Sequence, residues 1–545
     1  MSNAQTGLAE TSIACKRMLK MLIRLTGKVG FLPGMFVLLA ATGAAALAVP
    51  TDADAAQVPG PSAGLYENHY YRCVKHVYVA TNGSDANSGS SASTPWLTLQ
   101  HANDSLPVGG AAAGTCIDVA PGTYAKGVSI TAGGNLASPE GYVVYRCSTL
   151  DACTVTDVNA GGQPASFAFN NRQPMTGNYV MIDGFTLKAA AKTTFGQGVD
   201  LWAGSNTFTP SVHHVWILNS VISGYGQSGI QMNEGEYFFV IHNTIYNNSN
   251  AGCSAQGSGI ALASLIARNG YARTPDDSFT KVYGNISTAF HNVIEWNVVH
   301  NNAITQCGNA GSPYDTDGNN IILDTLSWHG ASGTVPYTPG TLVAQNIVYN
   351  GGGGGIHIYY SENVTAANNS CYNNYLDPFN SGTVRGCIDT NNSYGNTIIN
   401  NIAVAVPAAP HGTCAFGNLP YAQFNTSFVG APPSGAPLDV WSHNITKLEG
   451  GQRSCWGNFG KDGPTGENVM FSGDSYSCSA NKCGTDPAWT SVGTKTVGDE
   501  NLQPAGANFA LKPDSPAIGY GLAESYLPPA SRDAGACYHT LGQCP

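Results

Sequence analysis

The chain has 545 residues, of which 10% are charged, against about 25% in ordinary globular domains, while 42% are hydrophobic. That balance excludes a disordered chain. With 66 glycines, 30 prolines and few Glu, Lys and Arg it also excludes a large helical protein, and a net charge of −11 lacks the basic footprint of a nucleic-acid binder.

The first segment reads as an address. Lys16, Arg17, Lys20, Arg24 and Lys28 precede an apolar run from Phe31 to about Val49, and Ala46-Leu47-Ala48 resembles a cleavage site. Residues 1–48 are therefore expected to be a signal peptide and 49–69 a linker, with 70–545 as the folded body. A membrane anchor is the competing reading, but the run is rich in Ala and Gly and broken by Pro33. No other segment approaches the ~18 to 20 apolar residues of a spanning helix. The expected location is secreted, periplasmic or at the cell surface, with no membrane attachment after cleavage and a monomeric state. Cys15 lies in the signal and leaves 14 cysteines, an even number that suits disulfides in an exported protein. Cys147/Cys153, Cys478/Cys483 and Cys537/Cys544 are close enough to staple local loops, whereas zinc would need Cys-x-x-Cys or His-x-x-x-His spacings that do not occur.

Further along, a short pattern recurs: NSVISG at Asn219, NTIYNN at Asn243, NVVHNN at Asn297, NIVYNG at Asn346, NSCYNN at Asn369 and NIAVAV at Asn401. A related unit, IDGFTLKAA, begins at Ile182, and a second element recurs between these motifs: GVDL at Gly198, GIQM at Gly229, GIAL at Gly259, NIIL at Asn320 and GIHI at Gly355. The unit is about 23 to 25 residues, with long insertions between Asn243 and Asn297 and between Asn297 and Asn346. Both elements alternate apolar residues, as half-buried strands do. One such coil cannot bury its own apolar face. Stacking coils ~4.8 Å apart does so, and pairs every strand above and below. Asn at one phase is explained by side chains that hydrogen-bond their equivalents on neighbouring coils. The expected fold is an all-β right-handed parallel β-helix. Propeller blades need ~40 to 45 residues, and a leucine-rich repeat needs a consensus that is absent. Residues about 431–500, rich in Pro, Gly and Cys, depart from the repeat and read as decorated late coils or a lateral loop.

Several segments carry a family resemblance. VYVATNGSDANSGSSASTPWLTLQHA from Val77 and IDVAPGTY from Ile117 resemble the start of pectate-lyase-like right-handed β-helix proteins, and FALKPDSPAIGYG from Phe509 with RDAGA from Arg532 resembles their end. TDGNNIILD from Thr316 and the run NGGGGGIHIYYSENVTAANNSCYNN from Asn350 resemble a bacterial exported branch. The resemblance implies the fold and a polysaccharide ligand. It does not choose among lyase, hydrolase, epimerase and binding protein.

Aligning the second elements places Ile230/Met232, Ile260/Leu262, Ile321/Leu323 and Ile356/Ile358 inside. Asp200/Trp202, Gln231/Asn233, Ala261/Ala263, Ile322/Asp324 and His357/Tyr359 then point outward. Asp317, Asp324, His357 and Tyr359 are the candidate catalytic residues: two carboxylates, an imidazole that titrates near neutral pH and a phenol. Asp315, Asp317 and Asp324 could hold calcium, which takes ~6 to 8 oxygens, although Asp315 and Asp317-Gly318 also read as turn residues. Trp202, Trp328 and Tyr360 are candidates for stacking on sugar rings. The glycines Gly351 to Gly355 are expected to leave the surface beside His357 bare for a sugar chain. His291 and His300 read as structural.

No Lys or Arg occurs between Lys281 and Arg385. β-Elimination on a uronic acid needs its carboxylate neutralised, the C5 proton removed and the leaving oxygen protonated. The resemblance implies Lys or Arg as base, often an Arg within the NGG…GI run, where this chain has only Gly. A cationic base would have to come from Arg268, Arg273 or Lys281. Otherwise His357 serves, with calcium or amides neutralising the substrate. The fragment TDG at Thr316 resembles part of a polygalacturonase pattern whose remaining fragments are missing downstream. A lyase of acidic polysaccharide is thus the leading expectation, with a glycan-binding protein and a hydrolase as alternatives.

Overall fold

The computed structural model describes residues 70–108, 110–136, 138–156, 158, 164–169, 177–189, 196–202, 212–233, 235–249, 257–265, 290–302, 317–326, 339–377, 386–391, 393–405, 414–419, 437, 439–448, 469–470, 480–491, 508–524, 532–537, 539 and 544–545. All belong to the unit Ala55–Pro545.

Among these residues the chain winds through three parallel sheets of eleven, ten and ten strands, each strand pairing with its equivalent one coil before and after. One coil shows the plan. Phe290–Glu295 lies in the eleven-stranded first sheet, Val298–His300 in the second sheet and Ile321–Asp324 in the third. The next coil repeats it with Gly340–Ala344, Ile347–Tyr349 and Ile356–Tyr359. This is a right-handed parallel β-helix, the hand favoured when twisted strands connect in parallel. The interior columns are those the alternation predicts. Ile230, Ile260, Ile321 and Ile356 stack on one another, beside Met232, Leu262, Leu323 and Ile358, and each is at most 1% exposed. Each such side chain contributes about 1.5–3 kcal/mol by burial.

The corner between the first and second sheets is short and regular. A residue with positive φ turns the chain: His242, Trp296, Gln345, Asn368, Asn400 and His443 all lie between 54° and 58°. An Asn follows each one. Asn243 donates to Asn297, Asn297 to Asn346, Asn346 to Asn369, Asn369 to Asn401, Asn401 to Asn444 and Asn444 to Asn481, at 2.9–3.1 Å. Asn219 is not part of this ladder. Val221 pairs with Thr244, so Ser220 occupies the Asn phase, while Asn219 takes the turning position with φ 47° and donates to Asp183. The repeat there is one residue shorter than the sequence pattern suggests. A second ladder, Asn248–Asn302–Asn320–Asn374, runs at the corner that leads into the third sheet.

Disulfides join Cys73 to Cys116, Cys147 to Cys153, Cys371 to Cys387 and Cys537 to Cys544. Cys483 is also disulfide-bonded, and Cys478 lies outside the described residues. A helix absent from the repeat pattern, Leu99–Ser105, precedes the second strand of the first sheet and is capped by the Thr98 hydroxyl. From the late region, Val440–Ser442 and Ile445–Leu448 continue the first and second sheets, so these residues are coils. Trp489–Ser491 pairs antiparallel with Asn508–Leu511 and packs on Tyr372.

Candidate functional site

The third sheet differs from the other two. On both sides of its strands, long stretches of sequence separate it from its neighbours: 266–289 follows Ile260–Ala263, and 303–316 and 327–338 flank Ile321–Asp324. The register sets two outward columns. One runs Asp200, Gln231, Ala261, Ile322, His357, Asp389; the other runs Asn233, Ala263, Asp324, Tyr359, Asn391. Asp324 therefore lies directly beside Tyr359 and diagonally from His357, with coils ~4.8 Å apart.

His357 is held by a residue that pattern reading missed. Its Nδ1 lies 2.5 Å from Asp389 Oδ1, and both residues are at most 1% exposed. The signal was present in CIDT at Cys387, which continues the GIHI element by one more coil with Cys387 at the position of Gly355. The imidazole stacks near Tyr359, with centroids 5.7 Å apart, and Tyr359 meets Tyr360 edge-on at 4.4 Å in a hydrogen-bonded phenol pair. Asn319 is the second missed residue. It donates to Asp317 Oδ1 at 3.3 Å and accepts from Gly354 N at 2.7 Å, tying Asp317 to the turn that carries His357.

The glycine run does not bare the surface. Gly351 to Gly355 are buried, and their missing side chains make room for neighbouring coils. A Cβ on Gly353 would come within 2.6 Å of Asn319 Oδ1, and one on Gly355 within 2.4 Å of Cys371 Sγ. These glycines are there for close approach. The strip is likewise withdrawn from solvent, with Ala261, Ile322 and His357 all under 9% exposed and Asp324 and Tyr359 partly exposed.

Burial raises the Asp324 carboxyl to about 7, helped by the charge of Asp317 and opposed by His357 and Thr325. For His357, burial alone would disfavour the charged ring. The charge and hydrogen bond of Asp389, with Asp317 and Asp324 behind it, outweigh burial and raise the imidazole above its ordinary value. Asp389 is raised by burial and only partly drawn back by His357. Burial, then Tyr360 and Asp324, hold the Tyr359 phenol firmly protonated. The cluster thus combines a carboxylate-oriented imidazole, a carboxyl that titrates near neutrality and a phenol that keeps its proton.

Of the residues expected from sequence, Asp317, Asp324, His357, Tyr359 and Tyr360 come together here. Asp315, Arg268, Lys281 and Trp328 lie outside the described residues, as does the side chain of Trp202, whose backbone pairs with Asn233. Among the described residues no three His, Cys, Asp or Glu side chains converge to hold a metal ion. Of the calcium candidates, Asp317 and Asp324 lie on this face and Asp315 lies outside the described residues, and no step is derived through calcium.

Similar solved structures include pectate lyase Pel9A, 15% identical over 86% of this chain and 97% of that one, with a TM-score of 0.41. A rhamnogalacturonan lyase is 11% identical over 68% and 87%, with a TM-score of 0.32. The A-module of the Azotobacter vinelandii mannuronan C-5 epimerase AlgE6 is 14% identical over 61% and 78%, with a TM-score of 0.27. No family model and no curated protein sequence matches the chain. The fold assignment rests on the three-sheet topology.

Proposed function

We propose that the protein is an exported polysaccharide lyase that cleaves a uronic-acid polymer by β-elimination. The observation that carries this reading is the His357–Asp389 pair set beside Tyr359 on the third sheet. Asp389 takes Nδ1 and leaves Nε2 as the nitrogen for proton chemistry. In the proposed reaction Nε2 of neutral His357 accepts the C5 proton. The C5–H electrons form the C4=C5 double bond, the C4–O bond breaks, and the Tyr359 hydroxyl protonates the departing oxygen. Disulfides support an oxidising compartment, and no helix among the described residues is long and apolar enough to cross a membrane. The test is incubation with a panel of uronic-acid polymers, with and without calcium, followed by the ultraviolet absorbance of the unsaturated product. Absence of that absorbance across the panel would sink the lyase reading.

One observation favours glycoside hydrolysis as a second reading. Asp324, raised to about 7, has the protonation of a general acid, with Asp317 as its carboxylate partner. New reducing ends without ultraviolet absorbance would select it.

A further inference from the structure

We infer that a groove along the corner between the first and second sheets is a second glycan site, one that takes an uncharged polysaccharide chain lying along the helix axis. The inference does not depend on the lyase reading, because this corner and the third-sheet strip are different parts of the coil. The Asn ladder begins at Asn243. On the two coils before it the ladder phase is held by Ser220 and Phe185. Beside that phase the turning positions change from coil to coil: Asp151, Gly184, Asn219, His242 and Trp296, all with φ between 47° and 80°. Asp151 N donates to Gly184 O, Gly184 N to Leu218 O, Asn219 N to Ile241 O and His242 N to Glu295 O, so the five stand on consecutive coils. A cavity of about 240 Å³ follows this column, with Asp151, Asn219, His242 and Trp296 in its lining. Its other wall is the second-sheet column Val221, Thr244 and Val298, all partly exposed. The space extends over about 19 Å, at ~4.8 Å per coil, so it is a shallow groove and suits a chain better than a compact molecule.

The lining matches a neutral sugar. Asn219 donates its amide to Asp183 Oδ1 at 2.7 Å, which leaves its own Oδ1 as the acceptor it offers. Asp151 is exposed and offers a carboxylate. The backbone beneath that carboxylate is fixed, because Cys147–Cys153 staples the loop and the Asp151 carbonyl accepts from the Thr186 hydroxyl at 2.9 Å. Both groups accept hydrogen bonds and sugar hydroxyls donate them, while the Thr244 hydroxyl can do either. His242 is partly exposed, and the Trp296 ring lies within 16° of its plane with centroids 5.8 Å apart, so an aromatic wall adjoins the polar groups. A few fixed polar groups set against apolar surface make a ligand site, and the aromatic and valine surface suits the C–H face of a pyranose. A uronic-acid chain would bring its carboxylates against Asp151, where like charges repel. The groove thus selects uncharged residues, and the protein holds a mixed or branched polysaccharide by its neutral part.

The experiment is calorimetric titration of the full chain with xylan-, mannan- and galactan-derived oligosaccharides of increasing length, and with an oligogalacturonide. Neutral chains should bind more tightly as they lengthen and level off at about four residues, since a sugar chain advances by close to one coil spacing per residue. Thr244→Trp puts an indole into the groove and should weaken neutral binding by about tenfold or more, with the melting temperature and the turnover of any uronic-acid polymer unchanged. Asp151→Asn keeps an acceptor on a residue type that tolerates positive φ and removes only the charge. Its neutral binding should stay within about fivefold of wild type, while the oligogalacturonide gains affinity. The inference is overturned if no neutral oligosaccharide binds, if Thr244→Trp binds them as wild type does, or if Asp151→Asn leaves the preference for neutral chains as it was. Should Thr244→Trp melt below wild type, Asp151→Asn decides alone. Absence of turnover on every uronic-acid polymer would defeat the lyase reading and leave this inference to be decided by binding.

Discussion

The corner between the first and second sheets and the outward strip of the third sheet are made by the same repeat and have opposite characters. At the corner one residue type recurs, and each Asn side chain meets its copy above and below at about hydrogen-bond length. On the strip no two neighbouring coils carry the same pair: Gln231/Asn233, Ala261/Ala263, Ile322/Asp324, His357/Tyr359 and Asp389/Asn391 succeed one another. Repetition suits stability, because identical amides can donate and accept at once. It does not suit chemistry, because a stack of identical acids or bases repels itself. The molecule separates the two by confining variation, and its long insertions, to the third sheet.

The sharpest way to break this division is at His357. His357→Ala should lower turnover about 10²- to 10⁴-fold, the range for a lost general base. It also leaves Asp389 buried without its partner, so melting should be measured in parallel. The double variant His357→Ala/Asp389→Asn should recover the stability and none of the activity. Asp389→Asn alone should shift the acid side of the pH–rate profile to lower pH, because Asp389 is what raises the imidazole. An unmoved profile would remove Asp389 from the mechanism.

The ladder should respond in the opposite sense. Asn346 donates to Ile294 O and Asn369 Oδ1, and accepts from the backbone and side chain of Asn297, all at 2.9–3.0 Å. Asn346→Ala strands several of these groups in a dry corner at about 1–3 kcal/mol for each unsatisfied group. Denaturant unfolding should show a loss of about 3 kcal/mol, while turnover at a temperature where the variant is folded stays at the wild-type level. A matching fall in turnover would mean that ladder and strip are not separable.

The ladder was legible in the sequence because its period is carried by one residue type, and the slip at Asn219 shows the limit. NSVISG looks like its neighbours, but only the strand pairing reveals that Ser220 holds the phase. The outward columns were legible for the same reason: a two-residue alternation fixes which side chains face out. Asp389 escaped because its element reads CIDT, with Cys387 where the other elements carry Gly or Asn, and it follows the NSCYNN motif only after a longer interval. The glycines were misread because close approach is a relation between coils. Nothing local in Gly351–Gly355 says that Asn319, Asn320 and Cys371 stand against them.

The Cys371–Cys387 disulfide bridges the two regions, since it ties the second-sheet strand Ser370–Tyr372 to the third-sheet strand Gly386–Asn391 that carries Asp389. It closes an interval of 16 residues, so replacing both cysteines by Ser should cost about 3 kcal/mol of unfolding free energy. Below the melting transition the expected signature is a loss of turnover larger than that of Asn346→Ala, because the freed strand positions the imidazole's partner. Equal effects of the two variants on turnover would make the disulfide a staple and nothing more.

The smallest expected effect concerns a carboxyl on the structural side. Glu295 lies between Ile241 and Ala344 on neighbouring coils of the first sheet, is 1% exposed, and its Oε2 makes no hydrogen bond. Burial raises it from 4.5 to about 8. A carboxyl raised in the folded state stabilises fully below its unfolded value and loses that contribution as pH climbs through the folded one. Between about pH 4.5 and pH 8, wild type should therefore give up of order 1 kcal/mol or more. Glu295→Gln should flatten that decline, with the two proteins diverging in melting temperature as pH rises. The acid side should be unchanged by the substitution. There the buried His213, lowered by burial to about 4, takes stability away as pH falls from 6.5, because a neutral buried imidazole must then charge. A Glu295→Gln curve that still falls toward alkaline pH would place the decline in the third-sheet cluster, where Asp324 and His357 are also raised, and would put the weak point of the solenoid at its candidate site.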